Sequence, residues 1–286
     1  MMKAAVYSAF SSPIQIKSLP KPTLSDTHSI ILQVMATGVC RSDWHGWKGH
    51  DDDIRHHGLP FIPGHEVSGI VLEIGSQVQT LTVGDRVAVP FILSCGKCVE
   101  CHLHHPTVCL HQEQPGFTRW GSFASYVEIP RADRNLRIIP EGVSFVEAAA
   151  LGCRFTTAFR AVVQQGLQLN LKDTTCRSER RPATDRPKSV VVFGCGGLGL
   201  SCIMIVKAFQ QEGNIDSILA VDVSTRALEK AKALGASHTI NINDYDGDDE
   251  KVRAKIHQLT HGMGCDLSID AAGFTFFARR WKKRVN

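Results

Sequence analysis

Hydrophobic positions change their period near the middle of the chain. Up to about residue 140, short β-branched runs at 30–34, 67–74 and 86–91 stand between Gly, Pro and Asp turns, the pattern of strands in a β-rich domain. Residues 145–165 carry a helical pattern, with Ala148, Ala149, Ala150, Phe155, Ala158 and Val162 available to one face. After Pro187 strand and helix alternate. Strands are expected at 189–193, 217–221, 239–241 and 265–270, and helices at 198–210, 225–234 (ended by Gly235) and 249–260. Such alternation implies βαβ units around a parallel sheet. The chain thus reads as an α/β protein with a β-rich partner: residues 1–154 form the β-rich domain, and residues 155–286 a doubly wound one. No internal repeat is visible.

Composition narrows the function classes. Hydrophobic residues make up 43% of the 286, enough for a packed core. No apolar run approaches the roughly 20 residues a bilayer requires. The opening MMKAAVYSAF lacks the zones of a secretory signal, so a cytoplasmic location is expected. Ten cysteines in that setting point to metal or catalysis rather than disulfides. The net charge of +4 is concentrated: residues 172–188 hold six Lys/Arg against three acids, and 277–286 hold five basic residues and no acid. Outside these segments the balance is negative, so charge gives no support for a nucleic-acid partner. A membrane partner is not expected either.

Two constellations offer metal chemistry. Cys95, Cys98, Cys101 and Cys109 form C-x2-C-x2-C-x7-C. Four thiolates at this spacing can close a tetrahedral zinc site with no open position, hence a structural one. No recognition helix follows, which argues against a nucleic-acid finger. Three separated pieces, GVCRSDWH, PGHE and LGC, supply Cys40, His65 and Cys153, a Cys2His set that leaves a fourth zinc position open. Asp43 is placed to orient the His65 ring, and Glu66 to serve as a further acid or an extra ligand.

Together with LGCRFTTAFRA and GCGGLGL, these motifs make the chain resemble the zinc-containing medium-chain alcohol dehydrogenases from about Met2 to Gly273. The resemblance implies a GroES-like catalytic domain with two zinc ions, followed by a Rossmann domain for NAD(P). It places Cys40, His65 and Cys153 on the catalytic zinc and the clustered cysteines on the structural zinc. It makes Ser42 the hydroxyl that takes the alcohol proton and His45 the relay to solvent. It also puts Arg41 against the cofactor pyrophosphate, and Trp47 and Phe91 at positions resembling substrate-pocket walls. An alcohol or aldehyde substrate and a homo-oligomer are implied with it.

Gly194, Gly196 and Gly199 form G-x-G-x-x-G, with Gly197 and Leu198 between them, after an expected strand and before an expected helix. Asp222 ends the next strand, where an acid bonds the ribose 2′-hydroxyl and repels a 2′-phosphate, so NAD is expected over NADP. Two segments depart from the family pattern. Residues 172–188 read as a basic, disordered insert. Residues 274–286 read as a divergent tail, which leaves the doubly wound domain short of its last strands. The expected activity is zinc-assisted hydride transfer from a primary or secondary alcohol to NAD. The alternative is a catalytically inactive, truncated zinc-binding fragment of the family. A zinc-free quinone reductase of the same superfamily is disfavoured by the seven ligands.

Overall fold

The structure, a computed structural model, describes residues 1–167, 189–213 and 215–273. The expected insert and tail lie outside them. The chain divides into two compact units, Met1–Cys153 and Arg154–Asn286.

In the first unit, β1 (Met2–Val6) pairs antiparallel with β2 (Gln15–Leu19). A five-stranded antiparallel sheet contains β3 (Ile30–Gly38), β4 (Glu66–Ile74), β5 (Arg86–Val89), β6 (Tyr126–Ile129) and β7 (Arg137–Ile138) in the order β6-β3-β4-β5-β7. Its buried residues Ile30, Leu32, Val67, Val71, Val87, Val89, Val127 and Ile129 form the core. These recur at every second position or nearly so, the period of a sheet with one packed face. β3 runs on to Gly38, past the expected end at residue 34, and two register irregularities against β4 bend it. This extension delivers the chain directly to Cys40.

In the second unit, β8 (Ser189–Phe193), β9 (Ser217–Asp222), β10 (His238–Asn241) and β11 (Leu267–Asp270) form a wholly parallel sheet in the order β10-β9-β8-β11. Alternate residues feed two cores. Val190, Val192, Ile218 and Ala220 pack with Cys202, Ile203 and Val206 of helix Gly197–Ala208. Val191, Phe193, Leu219 and Val221 pack with Val252 and Ile256 of helix Asp249–Leu259. Helices on both faces make the strands apolar throughout rather than alternating, which is why β8 reads SVVVF. The fold is a GroES-like domain plus a Rossmann-type parallel sheet.

The 145–165 segment is helical but not regular. Helix Phe145–Ala150 gives way to wide π turns over Leu151–Phe155 and Arg160–Gly166, on either side of Thr156–Phe159. Ala148, Ala149, Ala158 and Val162 are buried as expected, whereas Ala150 is exposed. Three consecutive helical residues fan through about 200°, so Ala148 and Ala149 face the core while Ala150 turns to solvent.

Candidate functional site

The four clustered cysteines lie in a lobe closed by helix Val99–His102 and the turn Pro106–Val108. The Sγ atoms of Cys98 and Cys109 are 3.8 Å apart, and those of Cys95 and Cys101 4.0 Å. A disulfide needs about 2.05 Å, whereas the edge of a tetrahedron with Zn–S bonds of about 2.3 Å is about 3.8 Å. The spacing therefore fits a metal. Backbone N–H groups point at the sulfurs: Lys97 donates to Cys95 at 3.3 Å, and Cys95 and His111 donate to Cys109 at 3.2 and 3.4 Å. The Lys97 bond leads in holding the Cys95 thiol down at about 6, while burial pushes Cys109 up to about 11. Asn135 secures the lobe's entry by bonding both the N–H and the carbonyl of Ser94, at 2.9 and 3.2 Å.

The open constellation assembles from three places: the end of β3, the start of β4 and the π turn after Ala150. The ligand atoms of Cys40, His65, Glu66 and Cys153 all lie within 4.8 Å of one another. Asp43, on helix Arg41–Trp47, is the organiser. Its carboxylate accepts from the N–H of Cys40 at 2.8 Å, the N–H of Gly64 at 3.2 Å and Nδ1 of His65 at 3.0 Å. Gly64 has φ +104°, and a Cβ there would meet Phe123 at 2.5 Å, so the Pro-Gly-His turn requires glycine.

The His65 ring is thereby fixed with Nδ1 protonated, and Nε2 is left buried with no hydrogen-bond partner. An orphaned buried nitrogen beside two thiols has a simple explanation in a metal ion. The charges agree. A hydrogen bond from Cys153 leads in drawing the Cys40 thiol down to about 3, against burial and with help from His65. Burial alone would lower His65, but Asp43 and Cys40 outweigh it and raise the imidazole to about 9. Sharing with Cys40, then burial, pushes Cys153 far up. The polypeptide alone thus gathers a thiolate and a carboxylate around a point that attracts a cation.

A cavity of about 240 Å³ opens on these ligands, lined by Ser42, His45, Asp51, His65, Phe91, Gln114, Phe117 and Cys153. Ser42, His45 and Phe91, all singled out in the sequence, are among the lining residues. Trp47 does not line the cavity. Its indole packs with Tyr7, Ile54 and Phe61 and donates to the Ser12 carbonyl at 2.6 Å. Arg41 is exposed, its guanidinium 4.5 Å from the centre of the Trp44 ring. Asp51, Gln114 and Phe117 were not legible as site residues. Phe117, whose ring meets His65 edge-on at 5.2 Å, is 52 positions along the chain from it, with no motif around it.

In the second unit the glycine motif turns from β8 into helix Gly197–Ala208. Gly194 has φ +87°, and a Cβ there would meet the Ala272 backbone at 2.7 Å. A Cβ on Gly199 would stand 1.8 Å from the Gly194 carbonyl oxygen, so helix and strand approach closely only because position 199 is glycine. A Cβ on Gly196 would meet nothing within 4 Å, and no side chain caps the helix there. That open, uncapped N-terminus is the cradle a pyrophosphate needs. Arg154, missed in the sequence, lies against it: a Cβ on Gly197 would meet its Nη1 at 3.0 Å. Asp222 accepts from the N–H of Cys195 at 2.6 Å and of Ser224 at 2.8 Å, which braces the turn and leaves further lone pairs for a ribose. No helix among the described residues is long and apolar enough to cross a membrane.

Comparison with known proteins places these features in a family. Residues 26–140 match the alcohol dehydrogenase GroES-like domain, and residues 197–280 the zinc-binding dehydrogenase domain. The second match continues past Gly273, so family likeness extends into the segment read above as divergent. An alcohol dehydrogenase of Geobacillus stearothermophilus is 34% identical over 241 residues, covering 84% of this chain and 64% of that protein. An NAD-dependent alcohol dehydrogenase of Sulfurisphaera tokodaii is 31% identical, covering 94% of this chain and 71% of that one. The solved alcohol dehydrogenase TADH of Thermus sp. ATN1 superposes with a TM-score of 0.78 at 28% identity, covering 95% of this chain and 71% of that one. The chain thus spans about two thirds of the length of these relatives. With both family domains matched in order, the chain belongs to the zinc-containing medium-chain alcohol dehydrogenase family.

Proposed function

We propose that the chain carries the site of a zinc-dependent oxidoreductase that transfers hydride from a primary or secondary alcohol to NAD, giving an aldehyde or ketone. The observation that carries this reading is the convergence of Cys40, His65 and Cys153 on one cavity with Ser42 and His45, with His65 Nε2 buried and unpartnered. Zinc held by those three ligands would supply the Lewis acidity that lowers an alcohol's pKa. NAD would supply the hydride acceptor.

The chain's own part is positional and acid–base. Asp43 accepts from His65 Nδ1 and fixes the ring, so Nε2 would be the nitrogen that binds an ion, giving up its proton as it does so. Ser42 Oγ takes the alcohol proton, and His45 passes it to water. Burial, then the nearby Arg41 charge, holds the His45 pKa below its ordinary value, so a neutral imidazole is ready to accept at neutral pH. Phe91 and Phe117 supply apolar walls to the cavity. Glu66, fully buried beside the ligands, would serve as a supporting acid or an extra ligand. The Gly194–Gly199 turn would hold the pyrophosphate, and Asp222 would select the unphosphorylated ribose. Cys95, Cys98, Cys101 and Cys109 would hold a second zinc, which would tie the lobe together.

NADH formation from a panel of small alcohols tests the reading. Ser42→Ala should lower kcat ~10²- to 10⁴-fold at unchanged zinc content. Equal turnover by the two chains would remove Ser42 from the proton path. Zinc bound without any turnover would favour the alternative, a metal-binding chain of this family that does not catalyse.

A further inference from the structure

Just beyond helix Arg41–Trp47 the chain reverses. Lys48 and Gly49 donate back to the carbonyls of Trp44 and Gly46 at 2.9 Å each, and His50 donates its N–H to the His45 carbonyl at 2.9 Å. Gly49 has φ +73°, and a Cβ there would meet Phe10 at 2.8 Å. The turn therefore holds His50 beside His45. The two Nδ1 atoms are 3.4 Å apart, with the ring planes at 43°. Trp44 packs edge-on against both rings, at 5.0 and 5.8 Å between centroids, and limits their rotation.

Zn–N bonds of about 2.0–2.1 Å in a tetrahedral site place two nitrogens about 3.3–3.4 Å apart. The His45–His50 separation has that value without any rearrangement. Both rings are exposed, so an ion can reach them and water can complete its shell. Asp51, next in the chain, lines the cavity together with His45.

We infer that His45 and His50 form a third, weaker metal site, which takes a divalent transition ion of the zinc or nickel class through its two Nδ1 atoms at the mouth of the cavity. Neutral imidazoles are the ligands, and imidazole suits zinc, nickel and copper alike. The lowered His45 pKa keeps its lone pair free at neutral pH. Ion binding stands independently of the catalytic reading. Its consequence rests on that reading: an ion on His45 Nδ1 removes the proton acceptor, so excess metal inhibits alcohol oxidation reversibly.

The full chain, loaded with zinc at its two cysteine sites, is titrated with nickel chloride in a calorimeter, and retained zinc is checked by metal analysis. His50→Gln removes one ligand from an exposed position, and His56→Gln, a nearby exposed histidine outside the pair, is the control. The expected result is one more nickel ion bound by the wild-type chain and by His56→Gln than by His50→Gln, or binding at least ~10-fold weaker in His50→Gln. Identical isotherms for wild type and His50→Gln, or no nickel taken up beyond the zinc sites, would leave the pair as two hydrogen-bonded rings and overturn the inference. Because binding is read without turnover, failure here is distinct from failure of the catalytic reading.

Discussion

Asp43 offers a sharp test of how the open site is held. Its carboxylate, 7% exposed, accepts three hydrogen bonds: Gly64 N–H and His65 Nδ1 at Oδ1, and Cys40 N–H at Oδ2. Asn in its place has one carbonyl oxygen. Placed at the Oδ1 position it keeps Gly64 and His65 but turns an NH2 towards the Cys40 N–H, donor against donor; flipped, it loses two bonds instead of one. The better orientation still leaves a buried N–H unsatisfied, at about 1–3 kcal/mol. It also weakens the charge-assisted bond to the His65 ring, which lowers that ring's basicity as a ligand. Loss of such a supporting partner typically costs ~10- to 100-fold in metal affinity, or about 1.4–2.7 kcal/mol. Competition against a chromophoric chelator reads the zinc affinity, and urea unfolding of the zinc-free chain reads the stability. Asp43→Asn should weaken the open site while leaving the four-cysteine site intact. Unchanged zinc affinity and an unchanged unfolding midpoint would refute the idea that Asp43 positions His65.

Cys98→Ser should remove one zinc ion and lower the unfolding midpoint, because metal bound at a closed thiolate site contributes directly to folding free energy; metal analysis and thermal unfolding check it. Asp222→Gly should raise affinity for NADP relative to NAD, and should weaken both because Cys195 and Ser224 lose their acceptor; binding titrations read the ratio, and an unchanged preference would show the acid is misassigned. Asp133 accepts from the N–H groups of Gln79 and Thr80 and from the Thr80 hydroxyl at 2.7–2.9 Å, and these bonds outweigh burial to hold its pKa below the ordinary 3.8. Its stabilisation is therefore full above pH ~4 and lost as pH falls through the lower native value, so Asp133→Ala should flatten the acid limb of stability against pH.

The sequence carried most of the fold because its periods were clean. SVVVF was a short apolar strand candidate, and the GCGGLG run after it marked the turn from strand to helix. The two Cys/His groups that converge here were legible from the tight C-x2-C-x2-C-x7-C spacing and, for Cys40, His65 and Cys153, only from their joint appearance in order, since each alone is weak. What was not legible depends on chain reversal rather than period. The π turn over Leu151–Phe155, which carries Cys153, has no signal in a 3.6-residue pattern. Trp47 sits one residue before the helix cap, and that turn directs it into the Tyr7–Phe61 cluster instead of the cavity. Phe117, Gln114 and Asp51 reach the cavity from loops, where local sequence sets no direction. His50 meets His45 only because Gly49 takes a positive φ.

The central claim is that the Cys40, His65 and Cys153 centre is the working metal site. The measurement that tests it most directly is NADH formation followed against zinc content, as chelator removes the ion and stoichiometric zinc restores it. The open site should empty first, because four thiolates close the other. Activity should then fall in step with loss of the first zinc equivalent and return on its replacement, and His65→Ala should show neither that zinc nor turnover. Turnover that persists after the first equivalent is gone, or that survives in His65→Ala, would contradict the account.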